Sequence, residues 1–254
     1  MGKDKMDIIR YEVTDSTNLR AKEMGNEGVS RDTLFIADKQ TKGVGRRGRK
    51  WESPEGENIY MSLLLRPEIA PVKAPMLTLV MAVAVAEGIR KVYADAVLRI
   101  KWPNDIVLNK KKICGILTEM ALDGTAIKYV VTGVGINVNQ KTFIPELKDK
   151  ATSLWLETSK NGDREAIISA VMEEFYKYYD GFLRVGDLSY LQETYNQMLV
   201  NCGIEVVIHE PGNEYHAKAL GINEHGELVV ELKDGKRQNV YAGEVSVRGI
   251  NGYV

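Results

Sequence analysis

Apolar and polar positions follow one texture through the first four-fifths of this 254-residue chain and another after Val200. In the first part, "TLFIADK" (33 to 39), the mostly apolar "NIYMSLLL" (58 to 65), "LRIKW" (98 to 102) and the long, β-branched-rich "AIKYVVTGVGINVN" (126 to 139) each predict a strand. "DIVLNKKKICGILTEM" (105 to 120) predicts a hairpin turning at "NKKK". "APMLTLVMAVAVAEGIRKVY" (74 to 93) is apolar nearly all round and predicts a long buried helix, with Pro75 in the tolerated first turn. "DSTN" (15 to 18) predicts the start of a short helix capped by Asp15 or Ser16. Helices are expected over 163 to 183 and 188 to 199. Beyond Val200 the period drops to two. "IEVVIHE", "EYHAKALGI", "ELVVEL", "RQNVY" and "EVSVR" are separated by "PGN", "NEHG" and "KDGK", which predicts a small all-β module of barrel or sandwich type. We therefore expect an α+β domain over 1–200, an antiparallel-leaning sheet backed by the helix at 74 to 93, and a β module over 201–254.

Composition narrows the class. The net charge of -1 provides no overall basic field for nucleic acid or anionic membrane. Cys114 and Cys202 are the only cysteines, a pattern of reduced thiols and a cytoplasmic protein. The first residues, "MGKDKMDIIRYEV", carry no apolar leader run. The most apolar run, 76 to 86, is shorter than the ~20 residues a bilayer span needs.

The candidate chemistry lies in loops and strand ends. "QTKGVGRRGRKW" (40 to 51) contains G-x-G-x-x-G at Gly43, Gly45 and Gly48. A dinucleotide fingerprint needs a helix next, but Pro54 and Gly56 follow and the chain turns extended. Glycines with Arg46, Arg47, Arg49 and Lys50 suit either an anion clamp or a solvated charged loop. "KWPND" (101 to 105) ends a strand with Lys101, Asn104 and Asp105, a site or simply a turn. Lys112 enters an apolar strand and can point inward, whereas lysines in a hairpin turn usually face solvent. In "TGVGINVN" (132 to 139), strand glycines mark a bulge or close approach, and Asn137 and Asn139 are expected on one face. All three histidines, His209, His216 and His225, lie in the C-terminal module. Ser-His and Cys-His nucleophilic schemes thus find no base in the main domain, and Cys114 reads as a small buried hydrophobe. Lys, Arg, Asn and backbone dipoles remain, equipment for stabilising phosphate charge.

"DSTN", "QTKGVGRRGRKW", "KWPNDI", "KKICGILTE" and "GVGINVN", in this order and spacing, resemble the biotin protein ligases, also called biotin–[acetyl-CoA-carboxylase] ligases. The likeness runs from about residue 10 onward. It implies a class II aminoacyl-tRNA synthetase-like mixed sheet with helices, followed by an SH3-like β-barrel. It implies an enzyme that joins biotin to Mg-ATP as biotinyl-5′-AMP, releases pyrophosphate, and moves biotin to a lysine of a biotin carboxyl carrier protein. By the same resemblance Ser16, Thr17, Asn18, Gln40, Val44, Gly45, Arg46, Lys112, Gly115, Gly133 and Gly135 form the biotin site. Arg46, Arg49, Trp51, Lys101, Asn104, Lys112 and Asn137 meet ATP. Lys112 and Arg46 are the catalytic cations, and Asp105 is the expected Mg²⁺ ligand. Val44 stands where the family's loop usually has its first arginine, so Arg46 is expected to carry the electrostatic role. A lipoate or octanoate ligase of the same superfamily and a non-catalytic adaptor are the rival readings. The chain starts almost at the first catalytic strand, so no DNA binding is expected; a homodimer is plausible.

Overall fold

The computed structural model describes residues 6–243, 245–250 and 252–254. In chain order they form β1 (Met6–Thr14), α1 (Thr17–Glu27), β2 (Asp32–Gln40), β3 (Ile59–Leu65), α2 (Met76–Val92), β4 (Leu98–Lys101), β5 (Asp105–Leu108), β6 (Lys111–Asp123) and β7 (Ala126–Ile136). Next come α3 (Leu154–Thr158), α4 (Arg164–Val185) and α5 (Gln192–Met198). The chain ends in β8 (Glu205–Glu210), β9 (Asn213–Ile222), β10 (Leu228–Glu231), β11 (Arg237–Val240) and β12 (Ser246–Gly249). The first seven strands make one mixed sheet, ordered β1-β2-β3-β7-β6-β5-β4, in which β1 and β2 run parallel and the other neighbours antiparallel. The last five make a separate antiparallel sheet, ordered β11-β10-β9-β8-β12, with β11 and β12 at its edges.

The mixed sheet has two unlike faces. Against one lies α2, buried along nearly its whole length, with α4 packed behind it. Gly88 lets these helices touch, since a Cβ there would come within 2.6 Å of the Val171 backbone. The helical stretch Pro71–Val92 is long and apolar enough to cross a membrane, but 72% of its apolar 18-residue window is buried inside the protein, which fits a core helix. Leu34, Ile36, Met61, Leu63 and Val134 point to this side, and their core continues into Val206, Ile208 and Val230 of the second sheet. The opposite face carries a smaller cluster of Ala21, Phe35, Leu64, Tyr129 and Val131 beneath α1.

The register on that second face prepares a trough. Lys101 opposes Asp105, Asp105 opposes Gly115, Gly115 opposes Gly135, and Gly135 opposes Tyr60, so these residues form one row across β4, β5, β6, β7 and β3. Two residues along, Leu117, Gly133 and Ser62 form the next row. Directly opposed residues share a face. Three glycines side by side therefore leave the sheet bare where a neighbour must lie close.

The hairpin turns as expected, at Asn109 and Lys110, whose φ values of 49° and 67° suit a two-residue connection. Asp163 caps α4 by accepting the Ala166 N–H at 3.0 Å. Elsewhere the chain departs from the pattern. β1 is an edge strand with a mostly exposed surface, so it has no apolar period to reveal it. α5 begins only at Gln192, because 188–191 pack as a turn on the C-terminal module, with Leu188 N–H donating to Glu224 O. The short α3 also lacked a sequence signal, and its cap is the Ser153 hydroxyl.

Candidate functional site

Two adjoining hollows occupy the glycine-lined face. A narrow pocket is bounded by Ser16, Thr17, Asn18, Gln40, Val44, Gly45, Arg46, Trp51, Asn104, Lys112, Gly115, Gly133 and Gly135. A broad cleft beside it runs between the two sheets and is bounded by Arg46, Arg49, Trp51, Lys101, Asn104, Asp105, Lys112 and Asn137, with His209, Arg248 and Tyr253 from the C-terminal side. Gly45, Arg46, Trp51, Asn104 and Lys112 line both, so the hollows meet at these residues. Every residue that the family resemblance assigns to the biotin, ATP, catalytic or metal site thus borders one hollow or the other. Asn139 does not: β7 ends at Ile136, and the Asn139 side chain turns away to exchange hydrogen bonds with Gly162. The strict alternation expected for Asn137 and Asn139 stops with the strand.

One end of the pocket is a polar network at the start of α1. Gln40 Oε1 accepts from the Thr17 backbone N–H at 2.8 Å and from its hydroxyl at 3.1 Å. The Ser62 hydroxyl lies 2.7 Å from Thr17 Oγ1 and 2.6 Å from Asn18 Oδ1. Asn18 Nδ2 donates to Glu119 at 2.9 Å. Gly133 makes room for this amide, since a Cβ there would stand 1.9 Å from Asn18 Oδ1. Ser62 and Glu119 were not identified from sequence; a serine and a glutamate within apolar strands carry no signal until the sheet aligns them with α1.

The glycine loop closes over the junction as a small hairpin rather than a strand–turn–helix. Gly45 N–H donates to Arg49 O at 2.7 Å, Trp51 N–H to Gly43 O at 2.9 Å, and Val44 bridges Lys50. Arg47 and Gly48 make the bend with φ of 59° and 68°. The Trp51 indole lies against the glycine row: a Cβ on Gly135 would come within 2.6 Å of it, and one on Gly115 within 3.0 Å. Its buried Nε1–H has no acceptor among the described residues. Arg46 turns inward. Its guanidinium donates to Asn104 Oδ1 at 2.9 Å and to the carbonyls of Ala242, Gly243 and Val245 at 2.8, 2.7 and 3.3 Å. Asn104 is fixed in turn by donating to Ile116 O at 3.0 Å.

Three charges cross the cleft floor. A bulge aims Lys112: Ile106 pairs with Cys114 and Val107 with Lys112, so Ile113 is the additional residue. The backbone of Lys112 is pinned by Lys150 O and Thr152 N–H at 2.8 and 2.9 Å. Its ammonium then reaches Asp105 Oδ1 at 2.5 Å and stands 5.2 Å from the Trp51 ring centroid. Burial alone would raise the Asp105 pKa, but the Lys112 and Lys101 ammoniums overcome it and hold the carboxyl below its ordinary value. Lys101 is only 6% exposed, and burial pulls its pKa down to about 8. Burial also pushes the Cys114 thiol well up, consistent with a core residue rather than a nucleophile. His209, set apart by sequence distance, does reach the cleft through β8, paired with Glu214 at 2.7 Å.

Such an arrangement concentrates cations and amides where two hollows join, with few acidic groups to oppose them. It can hold a neutral polar head in the pocket and a polyanion in the cleft, with the junction reserved for whatever links them. Among the described residues no three His, Cys, Asp or Glu side chains come together as a metal cage.

Comparison with known proteins gives a consistent picture. Residues 11–137 match the model of the "Biotin/lipoate A/B protein ligase family", and residues 202–248 that of the "Biotin protein ligase C terminal domain". The "Bifunctional ligase/repressor BirA" of Bacillus subtilis is 39% identical over 244 residues, covering 94% of this chain and 74% of that protein. The "Biotin--[acetyl-CoA-carboxylase] ligase" of Paracoccus denitrificans is 30% identical over 240 residues, covering 93% of this chain and 98% of that one. Among solved structures, the biotin protein ligase from Aquifex aeolicus in complex with biotin and ATP superimposes with a TM-score of 0.83 at 30% identity, covering 96% of this chain and 99% of that chain.

Proposed function

This chain belongs to the biotin/lipoate A/B protein ligase family, and from that premise we propose that it is an ATP-dependent biotin protein ligase that makes biotinyl-5′-AMP with release of pyrophosphate and then transfers biotin to a lysine of a carboxylase's carrier domain. One observation carries the reading: segments 16–18, 40–51, 101–105, 112–115 and 133–137, far apart in sequence, border two hollows that meet at Arg46, Asn104 and Lys112.

In this reading the network of Thr17, Asn18 and Gln40 receives the ureido ring, and Gly115, Gly133 and Gly135 leave room for the bicycle and chain. The biotin carboxylate then arrives at the junction, and the nucleotide fills the cleft beside Arg49, Trp51 and Asn137. The carboxylate is already ionised at neutral pH, so its attack on the α-phosphorus needs no base. What opposes the reaction is repulsion between an anion and a polyanion. Lys112 and Arg46 offset it, and the transition state, with charge spread over phosphate oxygens, gains most. Mg²⁺ takes hard oxygen ligands, commonly one or two carboxylates with substrate phosphates. Asp105 fits that donor set and is the residue we assign to it; when bound, the ion neutralises phosphate charge. The glycine loop, closed by Arg46, keeps water from the mixed anhydride until the acceptor amine attacks.

The polar pocket end favours biotin over lipoate or octanoate, whose flexible tails call for an apolar tunnel. An SH3-like description of the C-terminal sheet, a synthetase-like ancestry for the mixed sheet, a homodimer and a cytoplasmic location belong to the same reading. The open edges of both sheets and the two free thiols support the last two. The test is exchange of labelled pyrophosphate into ATP. Exchange that depends on biotin is expected; exchange with lipoate alone, or none, overturns the reading.

Lys101 provides a pH prediction. Its ammonium, not its amine, attracts phosphate, and its pKa near 8 means that the charge is lost as pH rises through that value. Affinity for a non-hydrolysable Mg-ATP analogue should be flat below about pH 7.5 and weaken above it, approaching about tenfold per pH unit. A phosphate returns the proton to Lys101, so calorimetry above that pH should show proton uptake on binding. An unchanged affinity up to about pH 9.5 would remove Lys101 from phosphate contact.

A further inference from the structure

Tyr253 lies in the cleft without a role in the chemistry above. Its hydroxyl donates to Asp105 Oδ2. The face of its ring stands 4.4 Å from Lys101 Nζ. Contacts on either side hold it there: Gly252 N–H donates to Gly249 O at 3.4 Å, and a Cβ on Gly249 would come within 2.3 Å of the Val254 carbonyl. Among the described residues no oxygen accepts a hydrogen bond from the Lys101 ammonium, so a nearly buried cation rests on an aromatic face and the Asp105 charge. A ring face carries only partial negative charge, and a phosphate oxygen is a far better partner for a buried ammonium.

We propose that Tyr253 is a stand-in occupant of the phosphate end of this cleft, holding Lys101 and Asp105 while nucleotide is absent and yielding its place when Mg-ATP binds. The proposal rests on the ligase reading of the site. Ring and phosphate compete for the same side of Lys101, and the phenol competes with any cation for Asp105. Tyr253 is therefore an autoinhibitory plug: apparent ATP affinity is the intrinsic affinity reduced by the fraction of molecules in which Tyr253 has swung out. Biotin enters by the neighbouring pocket, which Tyr253 does not line, so its binding is independent of the plug.

Calorimetry on the full chain tests this. Tyr253→Ala is expected to bind a non-hydrolysable Mg-ATP analogue about tenfold more tightly than wild type, the scale of one cation–π contact and one hydrogen bond lost from the closed form. Tyr253→Phe, which keeps the ring and loses the hydroxyl, should fall between them. Biotin affinity should be equal in all three. In the otherwise unchanged chain, 3-fluorotyrosine at position 253 should move its fluorine resonance toward the solvent-exposed value when the analogue is added, and stay put with biotin. Analogue affinity unchanged or weakened in Tyr253→Ala overturns the proposal, as does a resonance that stays fixed while the analogue saturates. If Tyr253→Ala does not fold, the fluorine titration decides alone. Wild type that supports biotin-dependent exchange while Tyr253 fails to respond overturns the plug only; wild type that binds no nucleotide overturns the plug and the ligase reading together.

Discussion

Lys112→Ala is expected to lower biotin-dependent pyrophosphate exchange by about two to three orders of magnitude, the loss seen when one preorganised donor to a developing anion is removed. Lys112 borders both hollows and is aimed by a bulge and two backbone bonds rather than by a flexible loop. That rigidity lets its charge act in the transition state without reorganising. The same substitution removes the 2.5 Å partner of Asp105, leaving a buried carboxylate beside Lys101 and Tyr253. Lys112→Arg, which keeps the charge on a longer fork, should recover part of the rate. Analogue binding, followed in parallel, should weaken much less than exchange, because Arg46, Arg49 and Lys101 still face the cleft. Wild-type exchange in Lys112→Ala would show that another group neutralises the reacting oxygens.

The second large effect concerns retention of the intermediate. Arg46→Gly should release biotinyl-AMP about a hundredfold faster, equivalent to losing one or two charge-assisted hydrogen bonds of roughly 1.5–3 kcal/mol each. Arg46 ties the glycine loop to Asn104 and to the carbonyls of Ala242, Gly243 and Val245. A glycine there leaves a hairpin held by little more than its own backbone, and the adenylate escapes to label any exposed lysine. Mixing the variant with a bystander protein, biotin and ATP, then probing with streptavidin, provides the measurement. A bystander no more labelled than with wild type would take the sealing role away from Arg46.

The two halves of the site differ in how legible they were. Thr17, Gln40 and the glycines sit in short motifs whose residue types mark them out, although the cap expected of Asp15 or Ser16 is not made: Ser16 starts α1 without a side-chain cap bond. Lys112 was ambiguous beside Lys110 and Lys111, because all three sit at one turn and only the extra residue Ile113 in the β5–β6 register turns one of them inward. Asn137 and Asn139 share a strand face by alternation, yet β7 ends at Ile136, and Asn139 bonds with Gly162 instead. His209 lies far along the chain from the other site motifs, and only β8 carries it to the cleft wall. Ser62, Glu119 and Tyr253 had no local signature.

Periodicity and residue type by themselves determined the elements: the buried helix at 76–92, the strands around it, the hairpin turn at Asn109, and the change to short alternating strands past residue 200. These are decided by contacts within a few residues, through backbone sterics and the segregation of apolar side chains. Only the tertiary structure decided that Lys101, Asp105, Gly115 and Gly135 form one row, that Arg46 reaches carbonyls 196 to 199 residues away, and that Tyr253 rests on Lys101. Those pairings depend on register and on how two sheets meet, where burial and charge act between groups that no local pattern connects.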